Sequence, residues 1–193
     1  MTFDKATSSP QGTEPAAWPR CGKRVFDLVF GFLIFLLALP FLLIISLLIK
    51  LFDGGSVFFF QDRAGKGGEI FQPWKFRTMR GGRRPDPKVL VPLHHADITL
   101  VGRFLRRFKI DELPQIINVL KGDMSLVGPR PTLPDQVAAY DTFRRQRLLV
   151  KPGLTGLAQV YSSADASWEE RILYDVAYVR CCSFWLDLHI MLR

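Results

Sequence analysis

Two adjacent acids, Asp111 and Glu112, follow the cations Arg106, Arg107 and Lys109 and precede a proline-containing apolar segment, LPQIINVLKG. Such a pair suits the chemistry of anions. A carboxylate can attack phosphorus or hold a divalent cation, and flanking arginines grip phosphate oxygens two at a time. The stretch from Asp111 to Gly122 reads as a short helix, with Asp111 as its cap, Glu112 in the first turn, Pro114 where a missing N–H costs nothing, and Gly122 as the stop. An acid at that end stays ionised beside the positive pole of the helix. The local pattern leaves two readings open, because a capping acid needs no catalytic duty.

Lys75 and Arg77 of KFRTM follow a strand-like stretch, where they can grip phosphate or simply form a solvated basic face near a membrane. Lys151 of VKPG is a further candidate for the phosphate grip. The turn RAGKGG lacks the spacing of a phosphate loop. His94 and His95 have no third ligand at metal spacing, so zinc is not expected.

The elements that must position these groups belong to a chain of 193 residues, long enough for one domain of ordinary size. Its net charge of +8 and isoelectric point near 9.7 favour an acidic partner: nucleic acid, anionic lipid or a phosphorylated small molecule. Three cysteines without metal-type spacing argue against a disulfide framework.

Residues 1–19 are rich in Ser, Thr, Pro and Gly and read as a flexible tail. The uncharged run from Leu28 to Ile49 would reach about 33 Å as a helix, close to a bilayer core of about 30 Å. Arg20, Lys23 and Arg24 on one flank and Lys50 on the other place both flanks on the cytoplasmic side, and Pro40 sits in the middle. A helix that bends at Pro40 and returns fits these clues; so does a plain kinked span.

Phe58 to Gln61 and Ile70 to Trp74 read as the strands of a hairpin. The segment from Arg80 to Asp97 reads as a loop, and GRFLRRFKI, Gly102 to Ile110, has the composition of a helix lying on an anionic membrane face. A helix is predicted from about Pro134 to Leu149, then a turn and short strand in VKPGLTGLAQVY, then a helix from Trp168 to Val179.

Taken in order, KRVFD with the proline-centred apolar run, KFRTM, LRRFKIDELPQIINVLKGDMSLVGPRP, KPGLTGLAQV and YDVAYVR resemble the bacterial sugar transferase family, the monotopic phosphoglycosyl transferases, from Lys23 to the C-terminus. The chain is similar to the minimal form of that family. The resemblance implies an α-rich α+β fold in three parts: a tail (1–19), a re-entrant membrane helix broken at Leu39 and Pro40 (20–50), and a cytoplasmic catalytic domain resting on the membrane (51–193), with interfacial amphipathic helices and a small β-hairpin. It places the protein at the cytoplasmic face of a bacterial inner membrane, with no nucleic-acid partner.

By the same resemblance, the enzyme moves a sugar 1-phosphate from a UDP-sugar to polyprenol phosphate in the inner leaflet and releases UMP. Asp111 is then the nucleophile of a covalent phosphosugar intermediate, Glu112 its partner, and the two hold Mg2+. Lys75, Arg77, Arg106 and Arg130 are implied phosphate ligands, with Lys151 behind them. Leu39 stands where relatives often have Ser, Gly55-Ser56 where they often have Gly-Pro, and Asp97-Ile98-Thr99 where they have D-x-R-x-T. A basic membrane-anchored scaffold without catalysis explains the charge and the apolar run but gives the DELPQ and GPRP block no task. A direct glycosyl transferase would release UDP.

Overall fold

The computed structural model describes residues 20–80, 91–92, 94–163 and 165–193, so the tail and most of the loop expected between Arg80 and Asp97 lie outside the described residues. A run of apolar residues with no charge to solvate winds into one long helix, α1 (Arg20–Leu48), which ends in a π-turn, Ile49–Asp53. Gly54, at φ 63°, closes it with a backbone conformation that a Cβ would disfavour. Helical conformation continues through Leu39 and Pro40, so that the proline stands inside α1. Proline removes one hydrogen bond to the carbonyl four residues back, a cost that the remaining ladder and the packing around Ala38 and Leu42 can carry.

Both halves of α1 pack on the same globular body. Phe26 enters a core with Ile116, Val119, Leu126, Leu157 and Tyr178. Ala38, Leu42 and Ile49 enter a second core with Phe76 and Leu105. The outer face of α1 stays bare, with Leu37 74% and Phe41 62% exposed.

The root of α1 is pinned by charge. Lys23 pairs with buried Asp187 and lies 3.6 Å from Asp27, whose Oδ1 accepts from Ser125 Oγ at 2.9 Å and from the Leu126 N–H at 3.0 Å. Tyr178 Oη donates to Asp187 at 2.7 Å. This explains why KRVFD places three charges at the start of an apolar helix: Lys23 and Asp27 fasten it to Asp187 and to the Ser125–Val127 strand, and Arg24 to the carbonyls of Val119 and Leu120.

The expected hairpin is two nested antiparallel ladders instead of one. Strands β1 (Phe58–Phe59) and β4 (Lys75–Phe76) pair outside β2 (Arg63–Ala64) and β3 (Ile70–Phe71). The predicted strand from Ile70 to Trp74 splits because Pro73 has no N–H to give to a ladder, and Lys75 falls inside a strand. Helix α2 (Leu100–Arg107) starts two residues earlier than GRFLRRFKI suggests, because Thr99 caps it through Gly102 N at 2.8 Å. Its Leu100, Phe104 and Phe108 point outward together with Arg103 and Arg107.

After the dyad come α3 (Ile116–Lys121) and β5 (Ser125–Val127), which pairs in parallel with β6 (Gly153–Thr155). A Cβ on Gly153 would lie 2.1 Å from Gly128 N, so only glycine lets these two segments touch. The helix predicted over Pro134–Leu149 is instead α4 (Pro134–Ala138), α5 (Thr142–Arg145) and a 3-10 turn, Gln146–Leu149. Asp141 caps a fresh helix by accepting from Arg144 N at 2.7 Å, which resets the chain direction. Helices α6 (Leu157–Tyr161), α7 (Trp168–Cys181) and α8 (Phe184–Met191) complete a helix-rich fold with little sheet.

Candidate active site

The dyad is placed by the two elements on either side of it. Gly102 in α2 lies against the Thr78 backbone so closely that a Cβ there would sit 2.1 Å from Thr78 O. That contact brings Arg106 Nε within 2.8 Å of Thr78 Oγ1. The chain then reverses at Lys109, which is forced to φ 56°, the one positive φ of a non-glycine residue among the described residues.

The dyad segment itself differs from the predicted Asp-capped α-helix. Its first turn, Ile110–Gln115, is 3-10, the cap position is Lys109, and Asp111 and Glu112 both lie inside that turn. Pro114 favours this tighter start, because it cannot donate to an α-helical ladder. Gly122 ends α3 at φ 99°, in agreement with its expected role as the stop.

Two side chains hold α3 against the rest. Arg24 donates to the carbonyls of Val119 and Leu120 at 2.6 and 2.7 Å, taking up acceptors left over at the helix end. Buried Asn118 accepts from Trp74 N at 2.8 Å and donates to Gln72 O at 3.0 Å, which seats β4 beside the dyad.

The two carboxylates end in opposite electrostatic states. Glu112 accepts from Lys75 Nζ at 2.7 Å and Arg130 Nη2 at 2.5 Å. Burial works to raise its pKa, but Arg130 and Lys75 outweigh it and hold the carboxyl down at about 2. Asp111 has no such partner: among the described residues, no other side chain hydrogen-bonds its carboxylate. Its pKa is raised, first by burial and then by repulsion from Glu112, while Lys75 and Arg106 act against the shift.

A cleft of about 320 Å³, its open mouth included, lies beside Glu112. Arg63, Lys75, Gln115 and Arg130 line it, and Asp111 flanks it instead of lining it. Of the cations expected at the site, Lys75 and Arg130 converge on Glu112, and Arg106 neighbours Asp111. Arg77 turns away and donates to the Gly54 carbonyl at the end of α1. Lys151 stands at the C-terminal end of α3 with Arg24, where both approach the position a Gly122 Cβ would take, at 3.5 and 3.3 Å. Arg63 is not marked out by the sequence pattern. Nothing local separates it from Lys66, and only the pairing of Ala64 with Thr132 carries it to the Arg130 loop.

Behind that loop, buried Arg147 donates to the Arg130 carbonyl at 2.9 Å and to Tyr140 Oη at 2.7 Å, and pairs with buried Asp175. Two adjacent carboxylates, one neutralised and one open, form a donor set that fits a hard divalent cation such as Mg2+. That ion is commonly held by one or two carboxylates together with substrate phosphate oxygens.

The family described as bacterial sugar transferase matches residues 18–193. The chain is 43% identical over 169 residues to the uncharacterized sugar transferase EpsL of Bacillus subtilis, covering 88% of this chain and 83% of that protein. It is 42% identical over 200 residues to a UDP-glucose:undecaprenyl-phosphate glucose-1-phosphate transferase of Caulobacter vibrioides, covering 97% of this chain and 73% of the relative. It is also 38% identical to an undecaprenyl-phosphate galactose phosphotransferase of Salmonella typhimurium, with 89% of this chain and 39% of the relative covered.

Proposed function

The chain belongs to the bacterial sugar transferase family, and from that premise we propose that it carries a sugar 1-phosphate from a UDP-sugar to polyprenol phosphate by way of a covalent intermediate on Asp111. The observation that supports this most is the division within the dyad. Glu112 is neutralised by two cations, whereas its neighbour Asp111 has no side-chain hydrogen-bond partner among the described residues and lies near Lys75 and Arg106.

In the first half-reaction a carboxylate oxygen of Asp111 bonds to the phosphorus that carries the sugar, the diphosphate P–O bond breaks, and UMP leaves with the electron pair. In the second, an oxygen of the polyprenol phosphate attacks the same phosphorus and displaces Asp111, giving the polyprenyl diphosphate sugar. Splitting one displacement between two anions into two steps lets a fixed protein group meet each in turn.

Asp111 and Glu112 are the residues that would hold Mg2+, which when bound neutralises charge on the diphosphate. Lys75 and Arg130 keep Glu112 ionised and oriented, and their hydrogen bonds engage its Oε1 and weaken the carboxylate as a nucleophile. Arg106, fixed by Thr78, offers its guanidinium to the phosphoryl oxygens beside Asp111. Asp111 is half-buried, which reduces the water around its carboxylate.

The membrane arrangement supports a lipid acceptor. α1 is long and apolar enough to cross a bilayer, yet Phe26 near one end and Ile49 at the other are both buried in the same body. A helix anchored to one body at both ends, with Pro40 between them to bend its axis, is better placed to dip into a leaflet and return than to cross. The exposed Leu100, Phe104 and Phe108 of α2 offer a second apolar surface to the same leaflet, which we place at the cytoplasmic face of the inner membrane.

The test is a mass measurement on the purified full chain given each of a panel of UDP-sugars, beginning with UDP-glucose, without lipid. The expected result is one added sugar phosphate on the peptide that contains Asp111, stoichiometric UMP, and discharge on adding polyprenol phosphate. Undiminished turnover by Asp111→Asn, or release of UDP in place of UMP, would overturn the proposal.

A further inference from the structure

The cleft gathers more positive charge than the dyad consumes. Arg63, Lys75 and Arg130 face it together with the single carboxylate of Glu112, and that carboxylate is already bonded by Lys75 and Arg130. Arg63 has no carboxylate within ion-pairing distance among the described residues, and its Nη2 is held by Gln61 Oε1 at 2.8 Å.

Its position is built. The Ala64 N–H donates to Thr132 O at 2.9 Å, so that β2 is stitched beside the Pro129–Pro131 loop and two arginines from distant parts of the chain share one cleft. Burial lowers the pKa of Arg63 and the charge of Arg130 lowers it further, while Glu112 acts against the shift. Like charges on a half-buried Arg63 and an exposed Arg130 that line one cleft are tolerated most readily where an anion arrives to join them.

This pair is not the one that serves Asp111. Arg130 bonds Glu112 at 2.5 Å and shares its cleft with Arg63, whereas Arg106 lies outside that cleft, held by Thr78 Oγ1 at 2.8 Å.

We infer that Arg63 and Arg130 form a second phosphate seat, in the cleft that Glu112 lines and Asp111 does not, which holds the phosphate group that is not under attack. The inference rests on the phosphoryl-transfer reading and adds a binding residue to it. A guanidinium pair presents parallel N–H donors matched to phosphate oxygens. Two phosphates can use such a seat: the nucleotide-side phosphate of the donor, which becomes UMP, and the phosphate of the lipid acceptor. The chemistry is shared, and the two half-reactions separate the sources.

The experiment compares the full-length wild type in lipid nanodiscs with Arg63→Gln and with Arg63→Lys, which keeps the cation but not the fork. UMP binding is measured by calorimetry, and label acquisition and lipid-dependent discharge are followed by intact mass. If the seat takes the nucleotide phosphate, UMP affinity falls about tenfold or more in Arg63→Gln, in line with losing a charge-assisted bond, and donor half-saturation rises in parallel. If it takes the lipid phosphate, the polyprenol phosphate concentration for half-maximal discharge rises by a similar factor instead. Unchanged UMP affinity together with unchanged donor and lipid half-saturation overturns the seat. Should Arg63→Gln fail to fold, the same three readings on Arg63→Lys decide the matter. A wild type that never takes label counts against the phosphoryl-transfer reading; UMP binding that is lost in the variants would still uphold the seat.

Discussion

Asp175 offers the sharpest physical test of how the Arg130 loop is supported. Asp175 and Arg147 are each 2% exposed, yet Asp175 Oδ1 and Arg147 Nε have no protein partner, so the ion pair is only partly satisfied. Burial pushes the Asp175 carboxyl up to about 6 from 3.8, with the attraction and hydrogen bond of Arg147 offsetting part of the cost. At 1.36 kcal/mol per pH unit that difference corresponds to about 3 kcal/mol. Between the two values the folded protein holds a proton that the unfolded chain has released. Stability from this group therefore falls as pH rises from 3.8 through about 6, and stays reduced above it.

Asp175→Asn removes this slope; well below pH 6 the folded wild-type carboxyl is itself neutral, so any remaining difference there comes from replacing a neutral acid by an amide. Urea unfolding of both proteins in detergent, at about pH 4 and about pH 7.5, should show the difference moving by about 3 kcal/mol in favour of the variant at the higher pH. Parallel pH profiles would refute the reasoning. Arg147→Leu should cost about 3–5 kcal/mol at neutral pH, where it strands a buried charge, and less in acid, where Asp175 takes a proton.

Two further outcomes concern the elements around the dyad. Gly102→Ala should lower the melting temperature by many degrees and slow the acquisition of label, because its Cβ meets the Thr78 carbonyl at 2.1 Å and pushes α2, with Arg106, off its seat. An alanine variant of wild-type stability and rate would show that the contact is dispensable. Lys109→Gly should raise unfolding free energy by about 0.5–1 kcal/mol and Lys109→Val lower it by more than about 1 kcal/mol, since the position sits at φ 56°. Equal stability of the two variants in a denaturant titration would contradict that account.

Much of the local structure was legible in the chain because it depends on near neighbours. The uncharged run from Leu28 to Ile49 allowed only a helix, and Gly122 had to stop α3. The interfacial pattern of Phe104 and Phe108 between arginines read as helical. The misreadings share a cause. Pro73 split a strand through a hydrogen bond it could not donate, Asp141 restarted a helix that looked continuous, and the turn at Ile110–Gln115 took its cap from Lys109.

The sequence by itself determined that two acids would stand in a first helical turn amid cations, beside an apolar helix, in a chain of the sugar transferase family. It carried no information about which acid would be neutralised. That was decided when β4 brought Lys75, and the Gly128–Pro131 loop brought Arg130, to within 2.7 and 2.5 Å of Glu112 and left Asp111 open. Arg63 entered the same cleft only through the Ala64–Thr132 bridge, while Arg77 and Lys151 were drawn off to helix ends. Charge pairing falls off within a few ångströms in a partly buried site, so roles among like residues follow from long-range packing, which local pattern does not encode.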